Sequence, residues 1–236
     1  MSARRTQGVA RARKFRACRR EFRSPSAPLL RIFRAGMTGF RPFLILLLAA
    51  LFLAAPAHLH AISTVVIDAG HGGIDRGGQP GQRTVEKIYT LAVAQKLAAR
   101  LRGAGLRVVM TRSDDSFVGL GTRCDIANAQ HDAVFVSVHF NAAPRVDASG
   151  VETYYYSGKS SSLAAALHRE VLRVMGTPDR HIRQRGFYVI RHTNIPAVLV
   201  ESGFLTNPVE FRRISSPAFQ DELAGAFARA IISKYR

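Results

Sequence analysis

Three apolar runs in this chain stop abruptly on polar residues. The first reads Val65-Val-Ile-Asp68-Ala-Gly-His71-Gly-Gly, the second Val134-Phe-Val-Ser137-Val-His139-Phe-Asn141, and the third Ala197-Val-Leu-Val-Glu201-Ser-Gly. A further carboxylate, Glu86, falls in the first turn of a predicted helix. Imidazoles and carboxylates are the groups that move protons and ligate cations, so their convergence would make a reactive cleft. Each also has a structural reading. His71 would serve as a turn residue and His139 as a hydrogen-bonded core histidine. Glu86 would gain from the helix dipole, and Glu201 would pair with an arginine. The glycines around His71 could cradle a phosphate, but the Lys and Ser/Thr of a nucleotide loop are missing. No two of the four groups are close in sequence, so the fold must bring them together.

The elements that would do this alternate along the chain. Short β-branched runs predict strands at 64–68, 106–111, 133–138, 151–156, 187–191 and 197–201. Helical spacing of apolar residues predicts helices at 84–102, 121–130 and 161–175. Pro217, behind Ser216, opens a last helix whose inner face is Leu223, Phe227 and Ile231. Continuous apolar strands between helices predict a single α/β domain. Its sheet is twisted, mostly parallel and of about six strands, with helices on both faces. In such sheets ligands bind beyond the carboxyl ends of the strands, where Asp68, His71, His139 and Glu201 fall.

The composition carries one unusual number. The 236 residues hold 34 Lys and Arg against 16 Asp and Glu, a net charge of +18. Twelve of the bases and one of the acids lie in residues 1–41, so +11 belongs to that segment and +7 to the rest. An apolar run from Phe43 to Ala55 follows, then Ala55-Pro56-Ala57. That run is too short to span a bilayer, and it reads as the core of a signal peptide. The chain therefore divides into a basic arm or mis-assigned start (1–36), a signal peptide (37–61) and a working domain (62–236). Met37 is the expected translation start. The expected address is the periplasm, the cell envelope or the exterior, with no stable membrane span after cleavage. The basic excess sits in the leader and no basic-aromatic stripe follows, so no nucleic-acid partner is expected. Cys124, the one cysteine after the leader, falls in a predicted helix and reads as a small buried hydrophobe.

Four ordered stretches carry a family resemblance. They are Val-Val-Ile-Asp-Ala-Gly-His71-Gly-Gly, Glu86-Lys-Ile-Tyr-Thr-Leu-Ala, Phe-Val-Ser-Val-His139-Phe-Asn-Ala, and Pro196-Ala-Val-Leu-Val-Glu201-Ser-Gly-Phe-Leu-Thr-Asn207-Pro. Over residues 64–236 the chain resembles the catalytic domain of zinc-dependent N-acetylmuramoyl-L-alanine amidases of the amidase-3 family. The resemblance implies that His71, Glu86 and His139 hold Zn²⁺ and that Glu201 is the catalytic carboxylate. The implied reaction is hydrolysis of the amide between N-acetylmuramic acid and L-Ala in peptidoglycan. Asn141 and Arg83 become candidate substrate contacts, and Arg123 a contact or a scaffold residue. Asp68, three residues before His71, becomes a candidate acceptor orienting an imidazole. Some relatives insert a helix that plugs the zinc site until an activator removes it. Here the run from His139 to Glu201 is filled by predicted strands and a helix, so no obligatory activator is expected. A zinc metallopeptidase cutting another stem-peptide bond would use the same groups. A non-catalytic wall-binding module would lack one of them.

Overall fold

A computed structural model describes residues 62–78 and 85–236 of the chain. The basic arm, the signal segment and Arg83 lie outside the described residues. Six strands form one sheet: β1 (Thr64–Ala69), β2 (Arg107–Met110), β3 (Ala133–Asn141), β4 (Val151–Tyr155), β5 (Asp179–Gln184) and β6 (Ala197–Phe204). The helices are α1 (Glu86–Gly103), α2 (Leu120–Asn128), α3 (Ser161–Met175), α4 (Tyr188–Arg191), α5 (Pro208–Ile214) and α6 (Pro217–Tyr235). The strand order is β2-β1-β3-β6-β4-β5. β2, β1, β3 and β6 run parallel, β4 is antiparallel to β6, and β5 is parallel to β4.

Alternation along the strands divides the core in two. Val65, Ile67, Val134, Val136, Val138 and Val200 pack with Leu97, Leu163 and Phe227 from α1, α3 and α6. Val66, Phe135 and Leu199 pack on the other face with Cys124 and Ala127 of α2 and Val189 and Ile190 of α4. Helices thus cover both faces, as the pattern predicts. On the second face, however, they cover only part of the sheet. Cys124 is buried, and burial pushes its thiol up, as expected of an inert packing residue.

Two expectations at element level are corrected. The run 187–191 is not a strand. Tyr188–Arg191 makes one helical turn in which the adjacent Val189 and Ile190 are both buried, while Phe187 and Tyr188 are exposed. An adjacent apolar pair fits either a two-sided buried strand or a helical turn. Here the backbone makes the turn, with Arg191 N and His192 N donating to the Phe187 and Tyr188 carbonyls at 2.9 and 3.0 Å. The sixth strand is instead Asp179–Gln184, whose only apolar residue is Ile182. As an edge strand with no half fully buried, it needs no apolar run. In α1 the helical spacing of Ile88, Leu91, Ala94, Ala98 and Leu101 predicts the inner face, and only Ile88 departs from it. Thr90, Val93, Ala94, Leu97, Ala98 and Leu101 point inward, whereas Ile88 is exposed.

Candidate active site

β1 ends in a turn with three successive residues at positive φ: His71 (62°), Gly72 (135°) and Gly73 (57°). For a histidine this left-handed conformation is uncommon, and it persists because its surroundings fix it. Gly72 and Asp75 exchange two backbone hydrogen bonds, at 2.9 and 3.1 Å, which folds the chain back on itself. The fold-back brings the Asp75 carboxylate to His71, whose Nδ1 donates to Oδ2 at 2.8 Å. His71 Nε2 is thereby turned toward Glu86 Oε2, at 3.0 Å. Gly70 is a steric requirement. A Cβ there would lie 2.3 Å from Cε1 of His139, so the imidazole packs directly on the backbone.

Two buried arginines staple this turn. Arg112, just beyond β2, donates from Nε to the Ala69 carbonyl (2.9 Å) and from Nη2 to the Gly70 carbonyl (2.8 Å). Arg123, on α2, donates to the carbonyls of Ala69 (2.8 Å) and His71 (2.7 Å) and to Asp68 Oδ1 (2.7 Å). Arg123 is therefore scaffold. Asp68 also accepts from Thr111 and Ser137, each at 2.7 Å, and makes no contact with an imidazole. The expected orienting role of Asp68 is corrected: the acceptor on His71 is Asp75. Both lie near His71 in sequence, but Asp68 is still in the strand and points along the sheet face toward Ser137. Only the left-handed turn carries a carboxylate round to the imidazole.

Glu86 opens α1 and is nearly fully buried. Its Oε1 accepts from His139 Nδ1 (2.9 Å) and from the Phe140 amide (3.0 Å), and Oε2 accepts from the Gly78 amide (3.1 Å) as well as facing His71. The ligand atoms of His71, Glu86 and His139 all lie within 4.8 Å of one another. Two imidazoles and a carboxylate so grouped are a donor set that could hold a metal ion. Burial alone would raise the Glu86 carboxyl, but hydrogen bonds and charge from the two imidazoles hold it down to about 2. Burial opposes the charged form of His139, yet Glu86 outweighs it and pushes that imidazole up to about 9.

Glu201 lies on β6 in direct register with His139 on β3. With His71, Glu86, His139 and Asn141 it lines one depression of about 180 Å³. The fold thus assembles all four principal groups read from the sequence. Glu201 Oε2 is buried and has no hydrogen-bond partner among the described residues. Burial pushes this carboxyl up to about 7; the His139 charge pulls the other way and the Glu86 charge adds to the rise. Asn141 donates from Nδ2 to Glu152 at 3.0 Å, so its amide is already engaged beside the depression. Asp75, Arg112 and Glu152 were not singled out from the sequence. A carboxylate four residues after His71 in a glycine-rich turn was the one available signal for Asp75.

The family model described as N-acetylmuramoyl-L-alanine amidase matches residues 65–233. YqiI, an uncharacterized protein of Bacillus subtilis (strain 168), is 38% identical over 176 residues, covering 73% of this chain and 84% of YqiI. The probable cell wall amidase LytH of Staphylococcus epidermidis is 39% identical over 149 residues, covering 62% of this chain and 50% of LytH. The chain thus spans about half the length of LytH. Among solved structures, the catalytic domain of CwlV, an N-acetylmuramoyl-L-alanine amidase from Bacillus (Paenibacillus) polymyxa var. colistinus, superposes with a TM-score of 0.67. It is 38% identical, and the match covers 73% of this chain and 97% of that domain.

Proposed function

The chain belongs to the N-acetylmuramoyl-L-alanine amidase family, and from that premise we propose that it hydrolyses the amide between N-acetylmuramic acid and L-Ala in peptidoglycan with the help of zinc. The observation that carries this reading is the buried, unpartnered Oε2 of Glu201 beside the His71–Glu86–His139 cluster. A buried carboxylate oxygen without a hydrogen-bond partner in such a depression supports a role in proton transfer.

In this reading His71, Glu86 and His139 hold the ion, Asp75 fixes the tautomer and tilt of His71, and Phe140 and Gly78 amides fix Glu86. Bound zinc would polarise the scissile carbonyl and lower the pKa of water toward about 7. Glu201 accepts the proton of the attacking water on Oε2 and returns it to the leaving L-Ala amine. A carboxyl near neutrality suits both halves of that exchange. The His71 side chain is 23% exposed, so the cluster is reachable from solvent, which supports activity without an activator.

Export through residues 37–61 completes the reading, since peptidoglycan lies outside the cytoplasmic membrane. No helix among the described residues is long and apolar enough to cross a membrane.

Digestion of purified peptidoglycan with product mass spectrometry tests the proposal. New L-Ala amino termini are expected, with loss of product on chelation and recovery on adding zinc. Cleavage further along the stem would replace the amidase with a peptidase, and chelator-resistant cleavage would remove the metal. A second prediction concerns Asp75. Losing the acceptor on a ligating imidazole typically costs about 10–100-fold in metal affinity, so Asp75→Ala is expected to weaken zinc by that factor in competition with a chromogenic chelator. An unchanged affinity would show that the turn alone orients His71.

A further inference from the structure

The row of polar groups at the site continues past Glu201. Glu152 on β4 is in register with Glu201 on β6, as Glu201 is with His139 on β3. Residues directly opposite on neighbouring strands share a face, so His139, Glu201 and Glu152 stand side by side. Beyond them lies the edge strand β5.

β5 contains a bulge. Val151 pairs with Asp179 and Thr153 with Ile182, so three steps along β5 match two along β4. His181 within the extra step has a φ of 75°. Asp179 Oδ1 pins it, accepting from the His181 amide at 2.7 Å and pairing with His168 Nε2 at 2.9 Å. Regular alternation would send Arg180 and Arg183 to opposite faces. The bulge resets the alternation and turns both toward Glu152. Arg180 Nε donates to Glu152 Oε1 at 2.7 Å, and Arg183 Nη1 lies 3.8 Å from the same oxygen.

The charges on this flank do not balance. Glu152 is one buried carboxylate facing two guanidiniums, and its second oxygen is taken by Asn141 and the Tyr154 hydroxyl. Arg180 holds the near hydrogen bond. The Arg183 guanidinium makes none among the described residues, and its side chain is 39% exposed. A half-exposed, planar donor fork with free N–H groups and one net positive charge is suited to a carboxylate.

We propose that Arg183, set by the β5 bulge and backed by Arg180 and Glu152, binds a free carboxylate on the second residue of the stem peptide and so selects stems that carry one. This rests on the amidase reading above. β5 lies two strand spacings, about 10 Å, from Glu201 on β6. An extended peptide advances about 3.4 Å per residue, so a second-residue carboxylate is within reach of an Arg183 side chain that turns back toward Glu152 on β4.

The test is steady-state kinetics on two disaccharide-peptides that differ only at the second stem residue, one with a free α-carboxylate and one with its amide. A charged hydrogen bond of this kind corresponds to roughly a 10- to 100-fold ratio in kcat/KM in favour of the carboxylate, carried mainly by KM. Arg183→Gln is expected to collapse that ratio to near one, and Arg183→Lys to retain part of it. A wild-type ratio near one, or an Arg183→Gln variant that keeps the wild-type ratio, would overturn the subsite and leave the amidase reading standing. Failure to cleave either substrate after the muramic acid would overturn that reading and the subsite with it.

Discussion

Glu201→Gln is expected to lower kcat about 10²- to 10⁴-fold, the range supplied by a positioned general acid/base, with zinc content unchanged. Gln preserves the shape of the side chain but cannot accept the proton of the attacking water. Its effect on folding should run the other way. Glu201 Oε2 makes no hydrogen bond among the described residues, and burial pushes the carboxyl up to about 7, so the native state holds this charge at a cost. Removing it should leave the melting temperature equal or higher. A base must be ionised to act, so the wild-type rate should fall as pH drops through the carboxyl's pKa. A bound cation draws that limb to about 7 or below. The variant should lack it. Residual activity within a few-fold of wild type would place the proton transfer elsewhere.

The largest effect on stability is expected from Arg123→Ala. Arg123 and Asp68 are both almost completely buried and meet at 2.7 Å. Truncating one partner of such a pair strands the other and costs about 3–5 kcal/mol. Here the loss is compounded, because the carbonyls of Val118 and His71 lose the Arg123 donor as well, and that of Ala69 keeps only Arg112. Chemical denaturation would read the change directly, and a loss below about 1 kcal/mol would show that water replaces the guanidinium. The pH dependence has a definite sign. Burial acts to raise the Asp68 carboxyl, but Arg123, Ser137 and Thr111 outweigh it and hold it below the ordinary value. Its stabilising contribution is therefore present above about pH 3.9 and lost as pH falls through the lowered value. Without Arg123 the upward push of burial is less opposed, and acid unfolding should begin at higher pH.

Much of this was legible in the residues. His71, His139 and Glu201 stood out because apolar strands end on them, and parallel strands of one sheet deliver their ends to one edge. Glu86 was visible as a first-turn acid followed by a helical pattern. What escaped was carried by geometry that residue types do not encode. β5 is polar because none of its residues is fully buried, so no apolar run announced it. Val189 and Ile190 looked like strand residues because an apolar pair fits either period until its neighbours' burial is known. Asp75 reaches His71 only through three consecutive left-handed residues, and Arg112 acts by holding carbonyls that any sequence possesses. Arg83 was read as a substrate contact and lies outside the described residues.

The place of β6 in the sheet bears on when this chain becomes capable of cutting anything. β1, β2 and β3 form one ribbon and β4 with β5 another, and β6 alone joins them. It also carries Glu201, and it follows the other five strands of the sheet in chain order. A nascent chain that still lacks β6 therefore has two unconnected half-sheets and lacks the carboxylate proposed to accept the proton. Closure of the sheet and delivery of Glu201 are the same event, so the proposed hydrolase stays silent until β6 has been made and paired.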